Sequence, residues 1–419
     1  MKKLFVPLSF FLLAVFASCE KGLTPDAYHD SDSQKRNSVY RTSEEVLDIA
    51  QHSLKLLDGH PTRSGIMVRE LDVKNGIGVF TDKATRSSNL HGIDTLMYVV
   101  NFKNNAGFAM ISARRDLPPL LAVTEDGSLS NGTSSGNEAF DAYTSNLLKN
   151  ISNHCAWCTD TVYNVPENFP IEDTEEVYGA CNTVTWGQRA PFGAYYTNGK
   201  AGCSTISALI AMQYYQWPKQ MVVNFKTDSK HTIEIDWAKL GEKTPGRVFA
   251  SNEMQLMREL GRQVGYLLGV KEQKSPDGTG FNGDVAKRFT SRLGLDCTSM
   301  GRLLYESDFQ KGEIFLAQST LINNNEKGKA GHAWIVDGIS RRTRYLRLRI
   351  HEQMIVDQKL VDVFYHFNWG WAGKCNGFFF SDSYQFVVDN AHRKDKDEVT
   401  HVGHVISPEI KYSLIRRPN

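Results

Sequence analysis

Between residues 43 and 57, apolar side chains fall at Val46, Leu47, Ile49, Ala50, Leu54 and Leu57, close to a 3.6-residue repeat, so this stretch is expected to be a helix. Four short runs follow, at 77–80, 97–102, 108–112 and 120–124, and they read as strands. Asn104-Asn105-Ala106-Gly107 lies between the second and third and reads as a hairpin turn. Helical spacing returns over 140–151, which makes the first block a small α+β unit. From about 154 to 180 the periodicity breaks at Pro166, Pro170 and the acidic cluster Glu172, Asp173, Glu175, Glu176. That is the pattern of an exposed linker, where proteases cut. A second block begins near Thr183. Residues 204–215 and 253–268 read as helices, the first stopped by Trp217-Pro218, and 284–293 as a third. From His332 the chain turns strand-like, at 333–336, 345–350, 358–365 and 377–380. Helices followed by strands again give an α+β order.

The N-terminus follows a different pattern. Lys2 and Lys3 precede an apolar run over 4–16, the length of a secretory h-region and too short to span a bilayer. The run ends in Phe16-Ala17-Ser18-Cys19, small residues before a cysteine as in a bacterial lipobox. On this reading 1–18 is a signal peptide, Cys19 carries acyl chains, and 19–35 is a polar tether. The protein then meets a membrane only through its lipid anchor. An ordinary signal peptide with an incidental Cys19 is the alternative. No other stretch is long and apolar enough to cross.

Composition narrows the function classes. The chain has 419 residues, with 48 Lys+Arg against 47 Asp+Glu, a balance of +1 that argues against a nucleic-acid binder. At 41% hydrophobic and 23% charged residues it can build ordinary cores. Seven cysteines are too few for a disulfide scaffold. Cys155 and Cys158 form a lone CxxC without a second pair, which speaks against zinc and leaves a local disulfide or plain packing.

Four residues stand where chemistry would place them. Cys203, after Ala201-Gly202, opens a helix whose N-terminal partial charge favours a thiolate, although a packed helix cysteine reads the same way in isolation. His332, in Gly331-His332-Ala333-Trp334, opens an apolar strand and can serve as the base. Asn368, in Phe367-Asn368-Trp369-Gly370, is a residue type that orients an imidazole, with Trp369 placed to cover that bond. Gln188, in Trp186-Gly187-Gln188, can donate its amide to an oxyanion together with the Cys203 N–H. The order Gln, Cys, His, Asn is that of a papain-type site.

The segments AGCSTISALIAMQYYQWP, GHAWIVDG and FNWGWAGKCNGFF resemble the streptopain family of papain-fold cysteine peptidases. The stretch YVVNFKNNAGFAMISARRDLPPLLAVTEDG resembles that family's propeptide. The resemblance implies Cys203 as nucleophile, His332 as base, Asn368 with Trp369 as the orienting group, and Gln188 as oxyanion donor. It also implies protein or peptide substrates, no metal or organic cofactor, and a propeptide that acts as an intramolecular inhibitor.

Four departures stand out. Ile210-Ala211-Met212 replaces the family's Gln-Ile-Met, and Trp371-Ala372-Gly373 replaces Trp-Gly-Gly. His332 and Asn368 are 368 − 332 = 36 positions apart, a long interval: an extended hairpin would keep the two adjacent, and a displaced strand would not. The Gln188–Cys203 interval, 203 − 188 = 15, is short.

The expected organisation is an inhibitory propeptide at 36–153, a linker with the activating cut at 154–182, and a papain-like peptidase domain at 183–419. The expected product is a secreted zymogen endopeptidase anchored at the outer membrane or cell surface. A papain-like amidase acting on cell-wall peptides and a non-catalytic surface lipoprotein are the competing readings.

Overall fold

The computed structural model describes residues 40–57, 69–72, 77–81, 95–114, 117–157, 174–179, 181, 183–225, 230–242, 247–272, 279–280, 284–301, 304–322, 329–350, 354–381, 385–387, 400–402 and 410–418. The signal and lipid-anchor reading, Cys158, and the proline-containing part of the linker lie outside these residues.

The first helix, Ser43–Ser53, begins where the sequence supplies a cap. Thr42 Oγ1 accepts from the Glu45 N–H at 3.3 Å, and the Glu45 carboxylate accepts from the Thr42 N–H at 2.7 Å. Val46, Ala50, Leu54 and Leu57 bury against the strands Thr95–Asn101, Phe108–Ser112 and Leu120–Thr124. The hairpin between the first two of these strands turns through Asn104 and Asn105, both at positive φ (59° and 55°). Asparagine tolerates that region better than most side chains. The helix Glu138–Trp157 runs past the expected 140–151 at both ends and carries Cys155. Phe140, Tyr143, Leu147 and Ile151 form its buried stripe.

One antiparallel sheet runs through both blocks. Its order is Gly78–Thr81, Thr95–Asn101, Phe108–Ser112, Leu120–Thr124, Gly377–Phe380, Met354–Asn368, Lys329–Ile350, Ile314–Ile322, Lys411–Arg416 and Asp296–Ser299. The blocks meet where Thr124, Val123 and Ala122 pair with Gly377, Phe378 and Phe379. A Cβ at Gly377 would stand 2.1 Å from the Val123 carbonyl oxygen, so glycine is what allows this approach. The α+β expectation agrees with these elements.

Two expectations need correction. Part of the expected exposed linker is a strand: Thr174–Gly179 pairs with Gly338–Thr343. Glu176, Val177 and Gly179 remain exposed within it, so no apolar alternation marks it in the sequence. The strands Ile314–Ile322 and Lys411–Arg416 were not anticipated. Their buried runs lack the period-2 signal of a strand with one wet face.

The long His332–Asn368 interval is an extended hairpin. Lys329–Ile350 pairs with Met354–Asn368 from Ile335↔Asn368 to Ile350↔Met354, so the added residues lengthen the hairpin without separating its base. The helix Cys203–Tyr215 buries every residue from Ser204 to Met212, Ile210-Ala211-Met212 included. It lies in one core with Ala333, Ile335 and the helix Ser251–Leu268. Trp334 and Val336, alternating with those strand residues, belong to a second core with Trp369 and the helix Glu138–Trp157.

Candidate active site

Cys203 is the first residue of its helix. Gly202 before it has φ 89° and ψ 149° and offers no side-chain cap. The first N–H groups of the helix are therefore left for other acceptors. Ser207 Oγ donates to the Ala333 carbonyl at 3.1 Å and ties the helix to the strand beside His332. This contact helps bring together two residues 332 − 203 = 129 positions apart. Burial would push the Cys203 thiol up. The adjoining His332 imidazole, by hydrogen bonding and charge, together with the Ala333 backbone and the Ser204 side chain, outweighs that and holds the thiol below its ordinary value. The His332 Nδ1 is itself buried with no hydrogen-bond partner among the described residues.

Asn368 is buried on the neighbouring strand, and its amide is fully engaged. Nδ2 donates to Thr183 Oγ1 at 2.8 Å and to the Val184 carbonyl at 3.0 Å, while Oδ1 accepts from the Gly370 N–H at 3.2 Å. Among the described residues no hydrogen bond joins Asn368 to His332. Trp369 is buried with its ring 4.9 Å from Trp334 and its Nε1 donating to the Cys375 carbonyl at 2.9 Å. Gln188 is buried. Its carbonyl accepts from the Ala201 N–H at 2.8 Å, two residues before the nucleophile. Gly187 bridges to Trp371, and the Ala372 N–H donates to the Trp186 carbonyl at 3.1 Å. The loops that carry Gln188, Cys203 and Asn368 are thus joined by backbone bonds. Ala372, where the family carries glycine, sits at φ 55°.

Three site-proximal residues were not singled out from the sequence, although two lie inside the quoted motifs. Asp337 ends the strand run after His332, and His366 precedes Phe367-Asn368. His366 Nδ1 meets Asp337 Oδ1 at 2.5 Å, and Asp337 Oδ2 accepts from the Thr183 N–H at 3.0 Å and the Thr183 hydroxyl at 2.8 Å. The other His366 nitrogen, Nε2, meets Glu125 Oε1 from the first block at 3.1 Å. All four side chains are buried or nearly so. Burial would lower the His366 pKa, but the charges of Asp337 and Glu125 and their hydrogen bonds raise it to about 10. Burial alone would raise Asp337. The His366 charge and hydrogen bond, with the two bonds from Thr183, hold it below the ordinary carboxylate range.

The first block reaches the site at further points. Glu138 meets Lys200 at 2.5 Å, three residues before Cys203. Tyr143 lies 5.7 Å and Phe140 6.4 Å from the Trp369 ring, and Asn137 Nδ2 donates to the Lys374 carbonyl at 2.7 Å.

Among solved structures, a prointerpain A fragment of Prevotella intermedia is 17% identical, with 81% of this chain and 98% of that chain covered and a TM-score of 0.46. Active interpain A cysteine protease of Prevotella intermedia is 14% identical, with 57% and 94% covered and a TM-score of 0.36. No curated protein matches the sequence. Residues 42–151 match the Spi protease inhibitor family, and residues 186–379 match the peptidase C10 family. Residues 186–379 are thus similar to the peptidase C10 family and residues 42–151 to a protease-inhibitor family, and the chain is a cysteine peptidase preceded by an inhibitor-type prosegment.

Proposed function

We propose that the protein is a secreted, lipid-anchored endopeptidase whose chemistry is carried by Cys203 and His332. The observation behind this reading is the Cys203 thiol at a helix start against the His332 imidazole, depressed below its ordinary value despite burial. The thiolate attacks the scissile carbonyl carbon. The oxyanion is held by the Gln188 amide and the Cys203 N–H. His332 then gives its proton to the leaving amine, and the acyl group stays on sulfur as a thioester. Water, deprotonated by His332, attacks the thioester, and the acid leaves with the thiolate restored. Asn368 is the orienting group. Its Oδ1 uses one lone pair on Gly370 and keeps a second for the imidazole N–H. Trp369 shields that contact from water.

Activation proceeds by a cut in the linker. The paired strand Thr174–Gly179 and the Thr183–Asp337 bonds favour a cut between 158 and 173, which leaves both with the mature enzyme. Lys2, Lys3, the apolar run over 4–16 and Phe16-Ala17-Ser18-Cys19 support export and acylation at Cys19. In protein activated by an added serine protease, Cys203→Ala and Cys203→Ser should abolish hydrolysis of a denatured protein substrate. Undiminished hydrolysis in either variant would refute the assignment.

A further inference from the structure

A continuous run of buried hydrogen bonds ends on the Asn368 amide, and the chemistry of its members fixes the direction of each bond. The Val184 carbonyl can only accept and the Gly370 N–H can only donate. The Asn368 NH2 group therefore faces Thr183 and Val184, and its oxygen faces Gly370. The Thr183 hydroxyl has one proton, and it goes to Asp337 Oδ2 at 2.8 Å, where the Thr183 N–H also donates at 3.0 Å. An ionised carboxylate accepts only, so Thr183 Oγ1 is left to accept from Asn368 at 2.8 Å. On its other oxygen Asp337 meets His366 Nδ1 at 2.5 Å. In the zymogen both ring nitrogens of His366 face carboxylates, Asp337 and Glu125, so His366 is an imidazolium; once the prosegment leaves with Glu125, the 2.5 Å contact to Asp337 is what keeps the buried pair charged. Two other titratable groups that feel the Asp337 charge, the Cys181 thiol and the Tyr214 phenol, are held neutral by burial and by that charge, with Glu125 adding to the effect at Cys181. A neutral Asp337 would lose this polarity, and the Thr183 proton would then be free to turn towards Asn368.

We propose that Asp337 and His366, acting through the Thr183 hydroxyl, are positioning residues that decide which end of the Asn368 amide faces the catalytic imidazole. None of the three touches the reacting atoms. The inference rests on the reading of Asn368 as the group that orients His332. Loss of the Thr183 hydroxyl removes one of the two acceptors that hold the NH2 end. The amide then turns more easily and offers N–H where the imidazolium needs an oxygen. An imidazolium that loses its acceptor is less favoured, so the basic limb of the rate profile moves to lower pH.

The test uses full-length zymogen activated by an added serine protease and a chromogenic peptide substrate. Thr183→Val keeps the shape and removes the hydroxyl. It should lower kcat about tenfold with KM little changed, the scale of one buried hydrogen bond, and shift the basic limb of kcat/KM to lower pH. Thr183→Ser should restore most of kcat and the original limb. Wild-type kcat and pH profile in Thr183→Val would overturn the proposal, even if its Tm falls. Equal impairment of the Val and Ser variants would also overturn it, because the hydroxyl would then not be the cause. Asn368→Ala in the same assay separates the two levels. If it is impaired while Thr183→Val is not, only the relay fails; if it matches wild type, the orienting role of Asn368 fails with it.

Discussion

Glu125 is the point at which the prosegment enters the buried charge network of the peptidase, and removing it should loosen the zymogen by a calculable amount. In Glu125→Ala the His366 imidazolium loses its partner at 3.1 Å but keeps Asp337 at 2.5 Å. The roughly 3–5 kcal/mol that follows a fully orphaned buried charge is therefore an upper bound. A hydrogen bond to a charged group, about 1.5–3 kcal/mol, is the better guide. A loss of about 2 kcal/mol corresponds to an approximately 30-fold rise in the fraction of molecules with the prosegment displaced. The assay is the rate at which a bulky thiol-directed inhibitor labels Cys203 in uncleaved zymogen, with Tm measured in parallel. The pH dependence has a definite sign. Glu125 helps to raise the His366 pKa from the ordinary 6.5 to about 10, so its contribution is fully present below about pH 6.5 and is lost as pH rises through about 10. The wild-type advantage over Glu125→Ala should be largest at or below about pH 6.5 and gone once pH has risen past about 10. Identical labelling rates and Tm at neutral pH would refute the reasoning. As a contrast, Glu138 is 46% exposed where it meets the buried Lys200, and Glu138→Gln keeps a hydrogen-bond acceptor there, so it should cost less than Glu125→Ala.

Other consequences are open to simple measurement. Gly377→Ala would place a Cβ 2.1 Å from the Val123 carbonyl oxygen of the prosegment strand. It should speed zymogen labelling while leaving kcat of the activated enzyme unchanged; an unchanged labelling rate would contradict the described junction. Ala372 occupies the left-handed region at φ 55°, so Ala372→Gly should stabilise the protein by about 0.5–1 kcal/mol, seen as a rise in Tm. N-terminal sequencing of the active species should find a start between residues 159 and 174. A start beyond Thr183 would be incompatible with its bonds to Asp337.

The elements nearest the chemistry were the most legible in the sequence. The apolar run after Gly202 marked the buried helix, and the chain order of Gln188, Cys203, His332 and Asn368 marked the site. The 36-position interval was legible as an insertion with strand-like arms, but a lengthened hairpin and a displaced strand read alike until the pairing from Ile335↔Asn368 to Ile350↔Met354 separated them. The buried charge network left no such trace. Thr183 and Asp337 are 154 positions apart, and Glu125 and His366 are 241 apart. Nothing local distinguishes a buried Asp or Glu from a solvated one. The sheet shared by the two blocks was hidden for the same reason, since a strand such as Leu120–Thr124, the last of its block, carries no signal of which strand it will meet. The strand Thr174–Gly179 was masked by its own exposure, its acidic residues reading as linker.

The central claim is that His332 stabilises the Cys203 thiolate. Its most direct test is the pH dependence of alkylation of Cys203 by iodoacetamide in activated enzyme, compared between wild type and His332→Ala. The expected result is a wild-type thiol that titrates below the ordinary value of about 8.5 and rises in His332→Ala, where only the Ala333 backbone and the Ser204 side chain still oppose burial. The same near-ordinary titration in both proteins would contradict the account.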